Sequence, residues 1–255
     1  MTDDKIERTD PAILARGGQA RQLPKRFYAN VTVEARGGGH AVHLDGRPIR
    51  TPNKLVLVLP TPSMAAAIAE EWAAQREHID PMSMPLTRLA NSVRDQVDGR
   101  EVEVRADIVK YAGSDLLCYR ADHPAELVAA QAAAWDPVLD WARESLGADL
   151  AVCKGLMPVA QTTASRAAIE AAVAPLASFR LASAHVMTTL LGSVVLMLAT
   201  EAGRLTPDEA WKAAHVDEDW QATKWGADAE AARRQEGRRN EFLAAVRLRR
   251  LLDDA

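Results

Sequence analysis

Cysteine is almost missing from this chain: Cys118 and Cys153 are the two in 255 residues. Two thiols build neither a disulfide framework nor a four-ligand zinc site, and neither sits in a CxxC. A reduced compartment is the expectation. Charge of one sign is missing too. The 31 Lys+Arg face 35 Asp+Glu, for a formal net charge of −4. No basic surplus marks nucleic acid as the main partner. Long hydrophobic runs are also lacking. The most apolar stretch, Val186 to Thr200, contains Thr188, Thr189 and Ser193 and lies between His185 and Glu201. A membrane span needs roughly 20 apolar residues, so this stretch reads as a buried core helix and no membrane insertion is expected. The opening MTDDKIERTD is acidic and polar, with neither a signal-peptide apolar region nor the acid-poor composition of a transit peptide. Aromatics make up only 5%, and half of them are Trp: six, against three Phe and three Tyr.

Catalytic and ligand motifs are missing as well. No GxxxxGK[ST] and no helix-opening GxGxxG is present, and Gly37–Gly39 precedes a strand-like segment, which fits a turn. Gly113-Ser114-Asp115 lacks the second glycine of a nucleophile elbow. His40 and His43 are three apart, which on a strand places them on opposite faces. No HExxH occurs, and neither a metal nor a cofactor is expected.

What is present is a globular composition, 48% hydrophobic and 26% charged. Its texture changes along the chain. Residues 1–24 carry no apolar periodicity and read as a flexible arm. RFYANVTVE alternates, with Phe27, Val31 and Val33 at odd positions. HAVHLDGRPIR places Val42 and Leu44 before Asp45-Gly46, a two-residue hairpin signal. Leu55–Pro60 is an apolar run of strand length. After Pro60 the period becomes helical. Thr61-Pro62 is a cap with a first-turn proline, and Ala65, Ile68, Trp72 and Ile79 line one side. Pro81 and Pro85 punctuate. Further helices are expected over Glu101–Ala112, Ala125–Ser145 with Pro137 as a kink, Ala164–Ala174, Phe179–Ala202, Thr206–Val216, Asp217–Trp225 and Asp228–Leu252. Thr206 and Glu209 form a capping-box pattern. The expected fold is α+β. A small antiparallel β-rich domain with one helix (25–90) precedes a larger all-α domain (91–255).

The charged clusters have plain readings. Glu70-Glu71 and Asp217-Glu218-Asp219 are adjacent acids on helices, which point apart and form no acid/base pair. Asp217 reads as an N-cap, with acids favouring the helix start. The last helix carries Arg233, Arg234, Arg238, Arg239, Arg247, Arg249 and Arg250, interrupted by Glu230, Glu236 and Glu241. A solvated amphipathic helix is the simple reading; a polyanion binder is the alternative. Of the six tryptophans, Trp72, Trp135, Trp141 and Trp211 fit core positions. Trp220 and Trp225 lie in the polar DEDWQATKWG, where an aromatic serves equally as core or as a protein-contact anchor.

KRFYANVTVE, HLDGRPIRTP, AIAEEWAAQ, MPLTRLANS, DLLCYRA, WDPVLDW, the DEAW ending at Trp211 and DEDWQATKWG stand in order from Lys25 to Leu248. This ordered set resembles the signature blocks of the ATP synthase alpha-subunit assembly chaperone family. The resemblance implies a β-rich domain followed by a helical one, no catalysis and no cofactor. It implies one partner, the unassembled alpha subunit of the F-type ATP synthase, which the beta subunit later takes over. The free chain is expected to be a monomer. The acidic N-terminus departs from the family's mitochondrial members and fits a bacterial cytoplasmic one. Asp217, Glu218, Trp220, Gln221 and Trp225 are the expected partner-binding residues. An enzyme with scattered residues such as His78, Asp95 and Asp115 stays open as an alternative class.

Overall fold

The structure, a computed structural model, describes residues 23–155, 159–226 and 228–254. The arm expected over 1–24 lies outside the described residues except at its last two positions. Val31–Arg36 (β1), Gly39–Leu44 (β2) and Arg47–Pro48 (β3) form an antiparallel sheet in the order β1-β2-β3. The Asp45-Gly46 hairpin forms as its sequence suggests. Leu44 pairs with Arg47, and both turn residues have positive φ, 48° and 78°, the mirror-image turn that matches strand twist. The Asp45 carboxylate then accepts from the amides of Asn30 (2.8 Å) and Ala29 (3.1 Å). This fastens the chain ahead of β1 onto the hairpin.

The helices are Pro62–Ala73 (α1), Pro85–Ser92 (α2), Glu101–Lys110 (α3), Ala125–Trp141 (α4), Thr163–Val173 (α5), Ser178–Leu191 (α6), Val194–Glu201 (α7), Pro207–Ala214 (α8), Val216–Trp225 (α9) and Ala229–Arg250 (α10). Helix α1 starts where Thr61 accepts from the amide of Met64. It lays Met64, Ala65, Ala67 and Ile68 against the sheet. Pro137 lies inside α4, and Gly147, in the left-handed region, ends the π-turn that follows it. Both bonds of the Thr206/Glu209 capping box are made.

Four expectations are corrected. Leu55–Pro60 is not a strand of the sheet. It pairs by isolated antiparallel bridges, Val56 with Arg50 and Leu59 with His40, and Leu57 donates to the carbonyl of Ile49 at 3.1 Å, so it changes partner along its length instead of forming a continuous ladder. Phe179–Ala202 is not one helix. Gly192, at φ 66°, turns the chain, and Ser193 caps α7 by accepting from the amide of Leu196 at 3.0 Å. The Val186–Thr200 stretch is buried as two helices around a corner, because both sides of that corner face the core. Asp217 is not an N-cap; α9 begins after His215, and Asp217 lies inside it. The helical part also holds a short parallel pair, Tyr119–Arg120 (β4) with Cys153–Lys154 (β5).

One hydrophobic core runs through the molecule, from Leu57, Leu59 and Ile68 to Leu196, Phe242 and Leu248. Each such side chain contributes about 1.5–3 kcal/mol on burial. Polar side chains tie the segments together. Glu71 receives the amides of Leu86 (2.7 Å) and Thr87 (2.8 Å) and so caps α2 from a neighbouring helix. Burial pushes its carboxyl up, against the pull of those bonds. Tyr28 donates its hydroxyl to the carbonyl of Trp72 at 2.7 Å. Thr61 donates to the carbonyl of Leu251 at 2.7 Å and joins the start of α1 to the end of α10. Trp135, fully buried, donates its indole N–H to the carbonyl of Ala213 at 2.6 Å. Most of the sequence blocks that carry the resemblance therefore have internal structural work.

Candidate functional site

Helix α9 differs from the rest. It contains no buried residue. The stretch VDEDWQATKW has too few apolar positions at i, i+3, i+4 spacing to own a core face. It is held through its first turn. Gln131 on α4 donates to the Asp217 carboxylate at 2.7 Å, and its amide oxygen accepts from Ala121. Ahead of α9, His215 stacks on Trp211 with ring centroids 4.0 Å apart, and its Nδ1 lies 2.8 Å from the Trp211 carbonyl. The base of the helix is therefore fixed while its outer turns face solvent.

Those turns carry the aromatics. Trp225 is 75% exposed. Its ring meets Trp220 edge to face at 5.7 Å, and the Lys224 ammonium lies over the Trp220 ring at 5.6 Å. The contact orients both indoles without removing Trp225 from water. Glu218, Gln221 and Trp225 line one wall of a groove of about 580 Å³. The opposite wall comes from the first turns of α10, including Ala231, Arg234 and Arg238, and the floor from Leu190 and Leu191 at the end of α6. Arg238 holds the wall in place by donating to the carbonyl of Leu190 at 3.1 Å.

Of the five expected residues, the structure brings Glu218, Gln221 and Trp225 into this groove and sets Trp220 beside Trp225. Asp217 is turned away from it, toward Gln131. The basic wall of Arg234 and Arg238 was not foreseen. The arginines themselves are visible in the sequence, but no local signal places them beside α9. The groove has an apolar floor, with Glu218 on the α9 side and Arg234 and Arg238 on the α10 side. That is the anatomy of a protein-contact surface, with an aromatic anchor and a polar rim.

Other chemistry finds less support. Among the described residues, no group of three or more His, Cys, Asp and Glu is placed to hold a metal ion. His78, Asp95 and Asp115 are not brought together. His78 is exposed. Asp95 accepts from the Thr51 hydroxyl and the Asn53 amide, and Asp115 is buried against the start of α7. The arginines of α10 are largely engaged: Arg234 with Glu230, Arg239 with Asp208, Arg247 with Glu70, and Arg249 with Glu201. Among the described residues, no helix is long and apolar enough to cross a membrane.

The sequence profile of the ATP12 chaperone protein family matches residues 25–143. Atp12 from Paracoccus denitrificans has a crystal structure that is 44% identical with a TM-score of 0.85, over 90% of this chain and 98% of that one. The Atu1473 protein of Agrobacterium tumefaciens is 42% identical with a TM-score of 0.88, over 96% of this chain and 92% of that one. The mitochondrial protein atp12 of Schizosaccharomyces pombe is 21% identical over 244 residues, 90% of this chain and 84% of its own length. With this identity spread over nearly the whole length of the solved relatives, the chain belongs to the ATP12 chaperone family, a family of ATP synthase assembly chaperones.

Proposed function

We propose that this chain binds the unassembled alpha subunit of the F-type ATP synthase catalytic sector and shields its beta-facing surface until the beta subunit replaces it. An unassembled subunit exposes apolar surface that it later buries, and exposed patches of that kind aggregate. A partner that covers the patch more weakly than beta does is displaced by mass action, so the reading requires no catalysis and no nucleotide. The free chain acts as a monomer, in the cytoplasm of a bacterium.

The observation that carries the reading is α9. A helix with no fully buried residue, with a 75% exposed Trp225 beside Glu218 at the lip of an apolar groove, has its aromatic surface available for another protein. Glu218, Trp220, Gln221 and Trp225 make the contact. Asp217 supports it by fixing the helix to α4. The interface is expected at roughly 1,200–2,000 Å².

Co-expression with the host's alpha and beta subunits tests the partner. Selective co-purification of alpha is expected, and retention of neither subunit defeats the reading. Glu218→Lys and Trp225→Ala test the placement. Each is expected to weaken capture about tenfold or more, as hot-spot truncations do, with an unchanged circular dichroism spectrum. Full capture by both variants would remove α9 from the interface.

A further inference from the structure

A second groove, of about 550 Å³, opens on the β-rich part. Phe27, Tyr28 and Trp72 line it together with Leu44, Pro48 and Ile49, and Arg47 and Arg50 stand at its edge. Phe27 is 73% exposed. A lone exposed aromatic needs no explanation. This one is held on a rigid mount. Its ring meets Tyr28 edge to face at 5.4 Å, and Tyr28 is buried and meets Trp72 at 5.8 Å. The Arg26 guanidinium lies over the Tyr28 ring at 4.7 Å and donates to the carbonyls of Tyr28, Ala29 and Gln75. The backbone on both sides of Phe27 is therefore fixed, and docking there loses little conformational freedom.

The charge around this mount has one sign to spare. The Arg47 side chain has no hydrogen bond or ion pair among the described residues, and that of Arg50 donates only to the carbonyl of Lys54. The acid in the groove, Asp45, is committed to the amides of Asn30 and Ala29. Those bonds hold its carboxyl below the usual carboxylate range. Strand addition at this edge is blocked, because Pro48 in β3 has no N–H to offer. A partner here must be gripped by side chains.

We propose that this groove is a second docking surface that takes an acidic segment of the chaperone's client, with an apolar side chain against Phe27 and carboxylates on Arg47 and Arg50. The client's identity rests on the alpha-subunit reading above; the charge and shape of the groove do not. Helix α9 exposes the acids Glu218 and Asp219, whereas Arg47 and Arg50 at the edge of this groove are cations. A client held at both is oriented as well as captured. Two modest contacts on one client also multiply through effective concentration.

The test uses the full chain, purified alpha subunit, and a photo-crosslinking p-benzoylphenylalanine placed at position 27 or at position 225. Adducts from both positions, with the position-27 adduct mapping to an Asp/Glu-containing segment, are the expected result. An adduct from 225 alone overturns the second surface and leaves the α9 reading standing. An adduct from 27 alone, on an acidic segment, supports the second surface and removes α9. No adduct from either overturns both, and a position-27 adduct on a segment without acids overturns the charge assignment. Arg47→Glu with Arg50→Glu, both exposed, is expected to lower capture about tenfold at low salt and less at high salt. Capture equal to the parent chain at low salt would also overturn the proposal.

Discussion

Asp115 shows how much one residue settles. It is wholly buried, and its carboxylate accepts from the amides of Leu117 and Val195, both at 3.1 Å. It therefore pins the 3-10 turn at Leu116–Cys118 to the first turn of α7. Burial pushes its pKa up to about 6, and the bonds to Ser193, Leu117, Val195 and Val194 only partly offset this. A carboxyl raised in the folded state gives stability that is full below its unfolded pKa and is lost as pH rises through the folded one. Its contribution therefore falls between about pH 4 and pH 6, by roughly 3 kcal/mol for a shift of about two units. Urea unfolding of the parent and of Asp115→Asn across that range checks this: the parent's advantage over the variant should shrink as pH rises, and a constant advantage would mean that Asp115 ionises normally. The tryptophans show which residues were legible. Trp135 and Trp211, on helices with apolar faces, are buried. Trp225, in a polar segment, is exposed. Trp72 and Trp141 lie between, packed against the core but partly open. Local pattern gave the direction for the four indoles on apolar helix faces and left Trp220 and Trp225 open; Trp220 is half-buried. That pattern could not give Asp115 its role, because one of the two amides it receives, that of Val195, comes from a segment eighty residues away.

At the scale of elements, turns and caps were readable and corners were not. Asp45-Gly46, the Thr206/Glu209 box and Gly147 act through bonds within a few residues, so their chemistry lies in the local sequence. The α6–α7 corner was hidden because apolar residues continue through it on both sides, and hydropathy does not register a change of direction inside a core. The groove beside α9 was half legible for the same reason. One wall follows from the helix's own residues, while the other depends on where α10 lies. Gly39 shows the same limit at the sheet. A Cβ there would come within 2.5 Å of the Leu59 carbonyl oxygen and 2.9 Å of a Val58 methyl. That carbonyl accepts from the amide of His40 at 2.8 Å, in the bridge that joins Leu59 to β2. Gly39→Ala is expected to lower stability by about 1–3 kcal/mol, as overpacking does, measured by thermal or urea unfolding. A loss of less than about 0.5 kcal/mol, the size of an ordinary surface substitution, would mean that the Leu55–Pro60 segment yields freely.

At the scale of the whole molecule, the domain boundary expected at residue 90 is not matched by a change of core. Helix α2 spans that point, and α10 packs on it as well as on α6. Arg88 pairs with Glu241, Arg247 with Glu70, and Thr61 reaches Leu251. Residues 25–90 and 91–255 expressed separately are therefore expected to expose apolar surface and to lack a cooperative melt, read by calorimetry and a hydrophobic dye. Two independent sharp transitions would show that each part folds alone. Helix α9 stands nearly outside this economy: it has no fully buried residue, and of its apolar side chains only Val216, at its base, packs against the core. The fold thus places almost no constraint on the outer turns of that helix. On the docking reading proposed above, the residues of DEDWQATKWG answer to a partner's surface more than to packing, and substitutions on those outer turns should leave stability within about 0.5 kcal/mol. Docking strength can then change without renegotiating the stability of the scaffold.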